Sequence, residues 1–241
     1  MNNKKIPNAT VLRLSMYHRY LQGLLRDGKH VISSADLAHF TNVNPAQLRK
    51  DLSYFGKFGV RGVGYQVEQL VLKIQSILGL EKRWRMALVG IGHIGKALLQ
   101  YGQFEKRGYF FVAAFDLDEA NIGKMIGNLA IKSITTLEEI VKKEDIDFGV
   151  IAVPNERAQE IADLFVNSGI KGILNFSSAH LEVPKNVYVR NIDFTLLLDT
   201  MTYAISRRHE TVNDKMSRAT FDEHKKGFDI FTEHMTPSWL I

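Results

Sequence analysis

Three glycines in one short run have the spacing of a phosphate-binding loop. The run LVGIGHIGKALL places Gly90, Gly92 and Gly95 in G-x-G-x-x-G order after a short apolar stretch, with His93 and Ile94 before the last glycine. In this pattern the glycines permit a tight turn, close approach of the backbone to a pyrophosphate, and close packing of the next helix on the strand. The start of that helix supplies N–H donors to the phosphates. These five residues are therefore predicted to form a nucleotide cradle.

An acidic residue ends the next predicted strand. Asp116 closes the run YFFVAAFD, 21 residues after Gly95. At this distance from the glycines a carboxylate commonly bonds the adenosine ribose hydroxyls, and Leu117-Asp118 supplies no cation for a 2′-phosphate. NAD(H) is therefore favoured over NADP(H). Two alternatives stay open, in which Asp116 only caps a turn or the loop binds coenzyme A.

The residues of an ordinary dehydrogenase are not evident. Such an enzyme adds a substrate domain and a His or Lys acid/base, whereas the sequence after the predicted sheet is too short for that domain. His180 has no evident partner, and His93 lies among the glycines. The chain has no cysteine, which excludes disulfides and thiol redox sensing, and no metal site is predicted. The nucleotide is expected to be a signal, and an NAD-dependent oxidoreductase with a basic appendage remains the alternative.

The positive charge is concentrated in the first third. Residues 1–85 contain 14 Lys and Arg against 5 Asp and Glu, a net +9, whereas residues 86–241 contain 17 against 21, a net −4, which together give the chain's +5. This asymmetry suggests that the first third contacts a polyanion. A solvated basic face is the alternative.

The run NPAQLRKDLSYFG, from position 44, predicts the second helix of a helix-turn-helix. Asn44 can cap it, Pro45 suits its first position, and Leu48, Leu52 and Phe55 form one buried stripe. Such a helix enters the major groove and donates to bases and phosphates. The residues predicted to face DNA are Gln47, Arg49, Lys50 and Ser53.

A glycine-rich hairpin follows this helix. In KFGVRGVGY the residues Gly59, Gly62 and Gly64 permit a tight ribbon, with Arg61 at its tip. A basic hairpin beside a recognition helix is typical of a wing, and an arginine at its tip suits a minor groove. Lys57 is predicted to contact DNA as well. The alternative is a hairpin that packs on its own domain.

Alternating strands and helices fill the rest of the chain. Predicted strands at WRMALVG, YFFVAAFD, DFGVIAVP, KGILNFSS and VYVRNID are separated by helical segments, which indicates a doubly wound parallel sheet. The chain is therefore predicted to be α/β, with a winged helix-turn-helix domain at 1–80, a Rossmann domain at 81–192, a C-terminal helix at 193–210 and a tail at 211–241. No apolar run approaches the roughly 18 residues that a membrane span needs. The chain is expected in the cytoplasm.

These motifs together resemble the Rex family of redox-sensing transcriptional repressors. The similarity extends over roughly residues 4–209, through QLRKDLSYFGKFGVRGVGY, GIGHIG, IKGILNF, LEVP and VRNIDF in the family's order. The resemblance implies a homodimer that binds palindromic double-stranded operator DNA and NADH or NAD⁺. It also implies that NADH releases the protein from the DNA.

The resemblance assigns further residues. Arg19, Tyr101 and Asp193 match a switch contact whose pairing changes with the redox state of the ligand. Phe194 matches a position close to the nicotinamide, and with Val153, at the end of DFGVIAVP, it completes the predicted cofactor-binding set. The helix at 193–209 has an apolar face. The sequence alone favours packing of that face on its own sheet, whereas the resemblance implies a domain-swapped helix in the partner subunit.

Overall fold

The structure, a computed structural model, describes residues 6–207 apart from positions 57 and 61. The DNA contacts predicted for Lys57 and Arg61 lie outside the described residues, as does the tail at 211–241. Within the described ranges, no helix combines the length and apolar character that crossing a membrane requires. In the same ranges no three His, Cys, Asp or Glu side chains come together as a metal site.

The N-terminal residues form a small helical unit with one short hairpin sheet. Its elements are helix α1 (Asn8–Arg26), strand β1 (Val31–Ile32), helices α2 (Ser34–Phe40) and α3 (Pro45–Ser53), strand β2 (Tyr65–Gln66) and helix α4 (Val67–Ile77). The strands β1 and β2 pair in antiparallel register. One apolar cluster, confined to residues 14–78, joins the helices and this sheet. The unit therefore has its own hydrophobic core.

Local capping sets the start of the two helices that form the helix-turn-helix. The side chain of Ser33 accepts a hydrogen bond from the backbone N–H of Asp36, and that of Asn44 accepts one from Gln47 at 2.7 Å. Pro45 occupies the first position of α3, where its missing N–H costs no hydrogen bond. The short turn between the helices contains Asn42 with φ 54°, a conformation that asparagine tolerates better than most residues. The predicted helix-turn-helix is present.

A buried carboxylate fixes α3 against α1. Asp51 is fully buried and accepts hydrogen bonds from Arg13 Nε at 2.5 Å and Nη2 at 2.7 Å, and from the Tyr17 hydroxyl at 2.8 Å. The Thr10 hydroxyl and the Gln47 amide complete the set at 3.1 and 2.8 Å. A bidentate arginine–carboxylate pair has a fixed geometry, so it sets the orientation of one helix on the other.

The ionisation of Asp51 is adapted to this site. Burial alone would raise the pKa of its carboxyl group, but hydrogen bonds from Arg13, Tyr17, Gln47 and Thr10 outweigh burial and hold the pKa below its ordinary value. Burial and the contact with Asp51 raise the pKa of Tyr17, so its hydroxyl remains a donor at neutral pH. Asp51 is therefore ionised and fully paired at neutral pH.

The wing is closed by backbone hydrogen bonds between Val60 and Gly64. The N–H of each donates to the carbonyl of the other, at 2.9 and 3.0 Å. Gly64 has φ 103°, and a Cβ there would lie 2.4 Å from the carbonyl oxygen of Ile32. Glycine is therefore required where the wing joins the sheet.

The remaining residues form a seven-stranded sheet flanked by helices. Its elements are β3 (Trp84–Val89), α5 (His93–Leu99), β4 (Tyr109–Asp116), β5 (Met125–Ile126), β6 (Leu129–Ser133), α6 (Leu137–Lys143), β7 (Phe148–Ile151), α7 (Asn155–Asn167), β8 (Gly172–Asn175) and β9 (Tyr188–Asn191). The spatial order is β5-β6-β4-β3-β7-β8-β9. All neighbouring pairs are parallel except β5 and β6. The order reverses at β3, as in a doubly wound sheet.

Alternate residues of β3 pack on opposite faces of the sheet. Ala87 and Val89 contact the cluster that contains α6 and α7, whereas Met86 and Leu88 contact the cluster that contains the end of α5. Because neither face of β3 meets solvent from Met86 onward, its last four residues are all apolar. The carboxyl ends of the parallel strands, where the glycine loop follows β3, are the edge left for a ligand.

The last described helix, α8 at residues 194–207, does not pack on its own sheet. Every residue of this helix is exposed. The prediction that this helix packs on its own sheet is therefore wrong. Its large apolar side chains are 54–64% exposed: Phe194, Leu196, Leu197, Leu198, Met201, Tyr203 and Ile205. So large an apolar surface marks an interface.

Replacing Asp51 with asparagine should destabilise the N-terminal unit. The substitution leaves the Arg13 guanidinium without its carboxylate. We expect a loss of roughly 3 kcal/mol, at the low end for a broken buried pair because the Arg13 side chain remains 23% exposed. Urea unfolding followed by circular dichroism measures this loss. Asp27→Asn, at an exposed residue just after α1, serves as the control. An equal effect of both substitutions would contradict the assigned role.

The same carboxylate predicts acid sensitivity. A group whose pKa is lowered on folding contributes stability above its unfolded pKa, which is about 4 for Asp, and that contribution is lost as the pH falls through the folded pKa. The unfolding free energy should therefore decline below about pH 4, and less steeply in Asp51→Asn than in the unmodified chain. Urea titrations at a series of acidic pH values measure both slopes. Identical slopes would show that Asp51 does not carry this dependence.

Candidate nucleotide and DNA-binding sites

The first and last glycines of the loop are closely packed, whereas the middle glycine has free space beside it. Gly90 has φ 100°, and a Cβ there would lie 2.5 Å from the carbonyl oxygen of Ala152. A Cβ on Gly95 would lie 1.9 Å from the carbonyl oxygen of Gly90. At Gly92 no atom lies within 4 Å of the position that a Cβ would occupy. The first and third glycines are thus required by packing, whereas the second borders open space.

The other predicted loop residues surround this space. Helix α5 begins at His93, and both His93 and Ile94 are exposed. Val153 is buried two residues after β7, and its Cγ1 lies 2.8 Å from where a Cβ on Gly90 would be. The structure therefore brings His93, Ile94 and Val153 together with the three glycines at one edge of the sheet.

Asp116 is more fully engaged than the sequence predicts. Its Oδ2 accepts hydrogen bonds from the N–H of Ile91, inside the glycine loop, and from the Asn121 amide, at 3.0 and 2.8 Å. Its Oδ1 accepts from the N–H groups of Leu117 and Asp118 at 2.7 and 3.1 Å. A carboxylate has about four acceptor positions. Asp116 therefore caps the turn and supports the loop, and a ribose hydroxyl would take the place of one of these donors, most simply Asn121.

An asparagine that the sequence analysis missed organises the loop after β8. Asn175 is fully buried and accepts hydrogen bonds from the N–H and hydroxyl of Ser177, while its amide donates to the Ala179 carbonyl and the Asn191 side chain. The N–H of Ser178 donates to Asn155 at 2.8 Å. These bonds hold residues 175–179 at the same sheet edge as the glycine loop. Only the position of Asn175 at a strand's carboxyl end could have indicated this role.

The exposed side of α3 is positively charged. Leu48, Leu52 and the paired Asp51 face inward, while Arg49 and Lys50 are exposed. The single carboxylate of α3 is therefore removed from the surface that would meet a polyanion. Ser53 is also exposed, and its hydroxyl donates to the carbonyl of Lys50 at 2.7 Å.

Gln47 is placed differently from the other predicted DNA contacts. Its amide donates to Asp51, so one of its two N–H donors is used within the domain. Arg49 donates to the Ser34 hydroxyl at 3.2 Å and lines a groove of about 510 Å³ between α3, the start of α2 and the wing. Arg49 is therefore positioned beside the wing.

A cleft of about 830 Å³ separates α1 and α4 from residues 101–107, which follow the end of α5. Arg19 and Tyr101 both line it. Asp193 does not: it caps α8, accepting hydrogen bonds from the N–H and hydroxyl of Thr195, which lower the pKa of its carboxyl group. Phe194, beside it, is 60% exposed. Within one subunit the structure thus brings together two of the three predicted switch residues.

Comparisons with protein-family models divide the chain similarly. A model described as "CoA binding domain" matches residues 81–179, and one described as "Putative DNA-binding protein N-terminus" matches residues 5–53.

Whole-length relatives identify the family. The chain is 49% identical over 207 residues to the redox-sensing transcriptional repressor Rex of Syntrophobacter fumaroxidans, covering 86% of this chain and 99% of that protein. It is 47% identical to the Rex repressor of Carboxydothermus hydrogenoformans, with 86% and 100% covered. The chain belongs to the Rex family of redox-sensing transcriptional repressors.

Solved structures agree with this assignment. The Rex-family repressor RSP matches with a TM-score of 0.79 and 34% identity over 86% of this chain and 97% of that chain. RSP in complex with β-NAD⁺ and operator DNA matches with a TM-score of 0.81 and 34% identity over 88% and 98%. The predicted α/β fold class and repressor function are therefore confirmed, and the oxidoreductase alternative is set aside because the Rex family are repressors.

The loop geometry predicts a large loss of stability for one alanine substitution and a small change for another. Gly95→Ala places a Cβ against backbone that cannot move away, so we expect a loss of about 3 kcal/mol. Gly92→Ala places a Cβ in open space at φ −72°, so we expect a change below about 1 kcal/mol. Thermal unfolding of both variants tests the pair. Equal destabilisation would contradict the described loop.

Proposed function

We propose that this Rex-family chain is a homodimeric repressor that binds palindromic operator DNA and is released from it by NADH. The observation that carries the proposal is the glycine loop, open only at Gly92, in a chain whose N-terminal unit presents the exposed Arg49 and Lys50. RSP has been crystallised with β-NADH and, separately, with β-NAD⁺ and operator DNA. We place NADH and NAD⁺ in the same loop of this chain, with the DNA on α3 and the wing.

The exposed helix α8 supports a swapped dimer. Its apolar side chains need a partner surface, and in water that surface is most simply supplied by a second copy. The division that we propose is a DNA-binding domain at 1–80, a nucleotide-binding domain at 81–192 and a swapped helix at 193–210. In such a dimer Asp193 of one subunit would approach Arg19 and Tyr101 of the other. The switch would then be assembled from two chains.

The difference between the two ligands is electrostatic. NAD⁺ carries one positive charge on its nicotinamide ring that NADH lacks, and an apolar surrounding penalises the charged ring because desolvation of an ion is costly. A preference of NADH for the DNA-incompetent arrangement requires, by linkage, that DNA weaken NADH binding equally. A coupling of about 1–3 kcal/mol would change DNA affinity about 5- to 150-fold.

Coenzyme A is a second candidate ligand because the family model over residues 81–179 is described as a CoA binding domain. The cradle also suits its pyrophosphate. Asp116 favours NADH, since a carboxylate beside the ribose repels the 3′-phosphate of coenzyme A. We propose a cytoplasmic location because the proposed target is DNA.

Fluorescence anisotropy of a labelled palindromic duplex tests the proposal. Titration with NADH should release the DNA at micromolar concentrations, while NAD⁺, NADPH and coenzyme A should have far less effect. Gly92→Ala tests the position of the nucleotide. This variant should bind DNA normally and lose the response to NADH, because its Cβ occupies the space that a pyrophosphate needs.

Three results would argue against this reading. Tight DNA binding that is unaffected by NADH but weakened by coenzyme A would show that coenzyme A, not NADH, is the ligand. A normal response of Gly92→Ala would remove the nucleotide from the loop. Failure to bind any duplex at low salt would remove DNA as the partner.

We propose that Lys50 contacts a DNA phosphate. This contact predicts a change in the salt dependence of DNA binding. Each lost phosphate contact reduces the slope of log affinity against log salt by about 0.9. Lys50→Ala should show this reduction, whereas Lys124→Ala, at an exposed lysine beside β5, should not. Anisotropy at several salt concentrations measures both slopes. An unchanged slope in Lys50→Ala would place that lysine away from the DNA backbone.

A further inference from the structure

A small cavity lies behind the cleft between the two domains. It has a volume of about 150 Å³, and its walls come from α1, α4 and residues 106–108. Gln22, Lys106 and Arg107 line both the cavity and the larger cleft. The cavity therefore adjoins the cleft, where the DNA-binding unit meets the sheet domain.

Within one subunit the junction carries positive charge that the described residues do not balance. In the dimer that we propose, the partner's Asp193 would offset the charge of Arg19 and leave that of Lys106 and Arg107. Four cations line the cleft, two on α1 and two after α5: Arg19, Arg26, Lys106 and Arg107. No Asp or Glu is among the described residues that line the cleft or the cavity. None of the four forms a salt bridge with a described carboxylate. Burial and the like charge of Arg19 lower the pKa of Arg107, which indicates mutual repulsion across the junction.

A buried histidine forms part of the cavity wall. His18 is 4% exposed, and its Nε2 has no hydrogen-bond partner among the described residues. Its pKa is lowered by burial and by Arg107, so the imidazole is neutral at pH 7. An unpaired buried polar group is costly and usually indicates that a water or ion belongs nearby. The junction therefore holds an unpaired buried polar group beside its positive charge.

The size of the cavity restricts what can balance this charge. A water occupies about 30 Å³ of liquid, so the cavity has room for a few waters or one tetrahedral oxyanion, but not for a nucleotide. Arginine and lysine form charge-assisted hydrogen bonds with phosphate oxygens, and glutamine amides add neutral donors.

We propose that this cavity binds a small tetrahedral oxyanion, such as inorganic phosphate, held by Lys106, Arg107 and the amides of Gln22 and Gln75. The bound anion removes the repulsion between α1 and residues 105–107 and ties the two domains together. It occupies a site separate from the glycine loop, so it does not compete with the nucleotide for binding.

Thermal unfolding of the full-length dimer in increasing phosphate, with sodium chloride added to hold ionic strength constant, tests the site. Phosphate should raise the unfolding midpoint more than chloride does. Lys106→Gln and Arg107→Gln should each weaken the fitted phosphate affinity about tenfold or more, the effect of losing one charge-assisted hydrogen bond. Lys124→Gln, at an exposed lysine outside the cavity, should retain the full response. Because Lys106 is exposed, its replacement should not impair folding.

Histidine NMR supplies a readout that phosphate bound elsewhere would not move. A bound anion next to Lys106 and Arg107 favours the charged imidazole, so phosphate should raise the pKa of His18, whose resonance is identified by its loss in His18→Gln. A midpoint increase retained in both the Lys106 and Arg107 variants would place the anion at the glycine loop or on the surface and overturn the proposal. A His18 titration unaffected by phosphate, or equal effects of phosphate and chloride, would overturn it as well.

Discussion

The ion pair between Asp51 and Arg13 determines how the recognition helix is presented. A short helix such as α3 has little stability of its own, so its position depends on what it packs against. Leu48 and Leu52 bury one face, but apolar contacts are not directional. The bidentate pair, with Tyr17 and Thr10, adds direction. It also removes the only carboxylate of α3 from the surface that we propose meets DNA.

The glycine loop depends on the absence of side chains, in contrast to the ion pair that fixes α3. Gly90 and Gly95 let the loop fold onto β7 and β3 within distances that a Cβ would prevent, and Gly92 leaves the resulting space empty. Asp116 then supports the loop from below through the N–H of Ile91. One carboxylate therefore links the sheet edge to the loop, so a ligand that displaced Asn121 from Asp116 would also act on the loop.

The sequence predicted features that depend on local pattern. Asn44 with Pro45, the glycine loop and the apolar strands β3, β4 and β7 all follow from spacing and residue type. The hairpin β5–β6 was missed because its strands are short and Lys132 interrupts the apolar pattern, although Gly127-Asn128 is a turn signal. The inward position of Asp51 was missed because its three partners on α1, Thr10, Arg13 and Tyr17, lie 34 to 41 residues earlier in the chain. Interactions between residues so far apart leave no local pattern in the sequence. The exposure of α8 could not be predicted either, because an apolar helix face has the same sequence pattern whether it packs on its own domain or on another chain.

The length of α1 has a mechanical consequence. Thr10, Arg13 and Tyr17 hold α3 along the first half of the helix, and Arg19 and Arg26 line the interdomain cleft along the second half. A helix of 19 residues is about 28 Å long and stiff. A tilt of about 5° at the cleft end would displace the far end by roughly 2.5 Å, comparable with the rise of a single base pair. In the symmetric dimer that we propose the two displacements would add, so a small rearrangement at the cleft would become a mismatch with the pitch of the double helix.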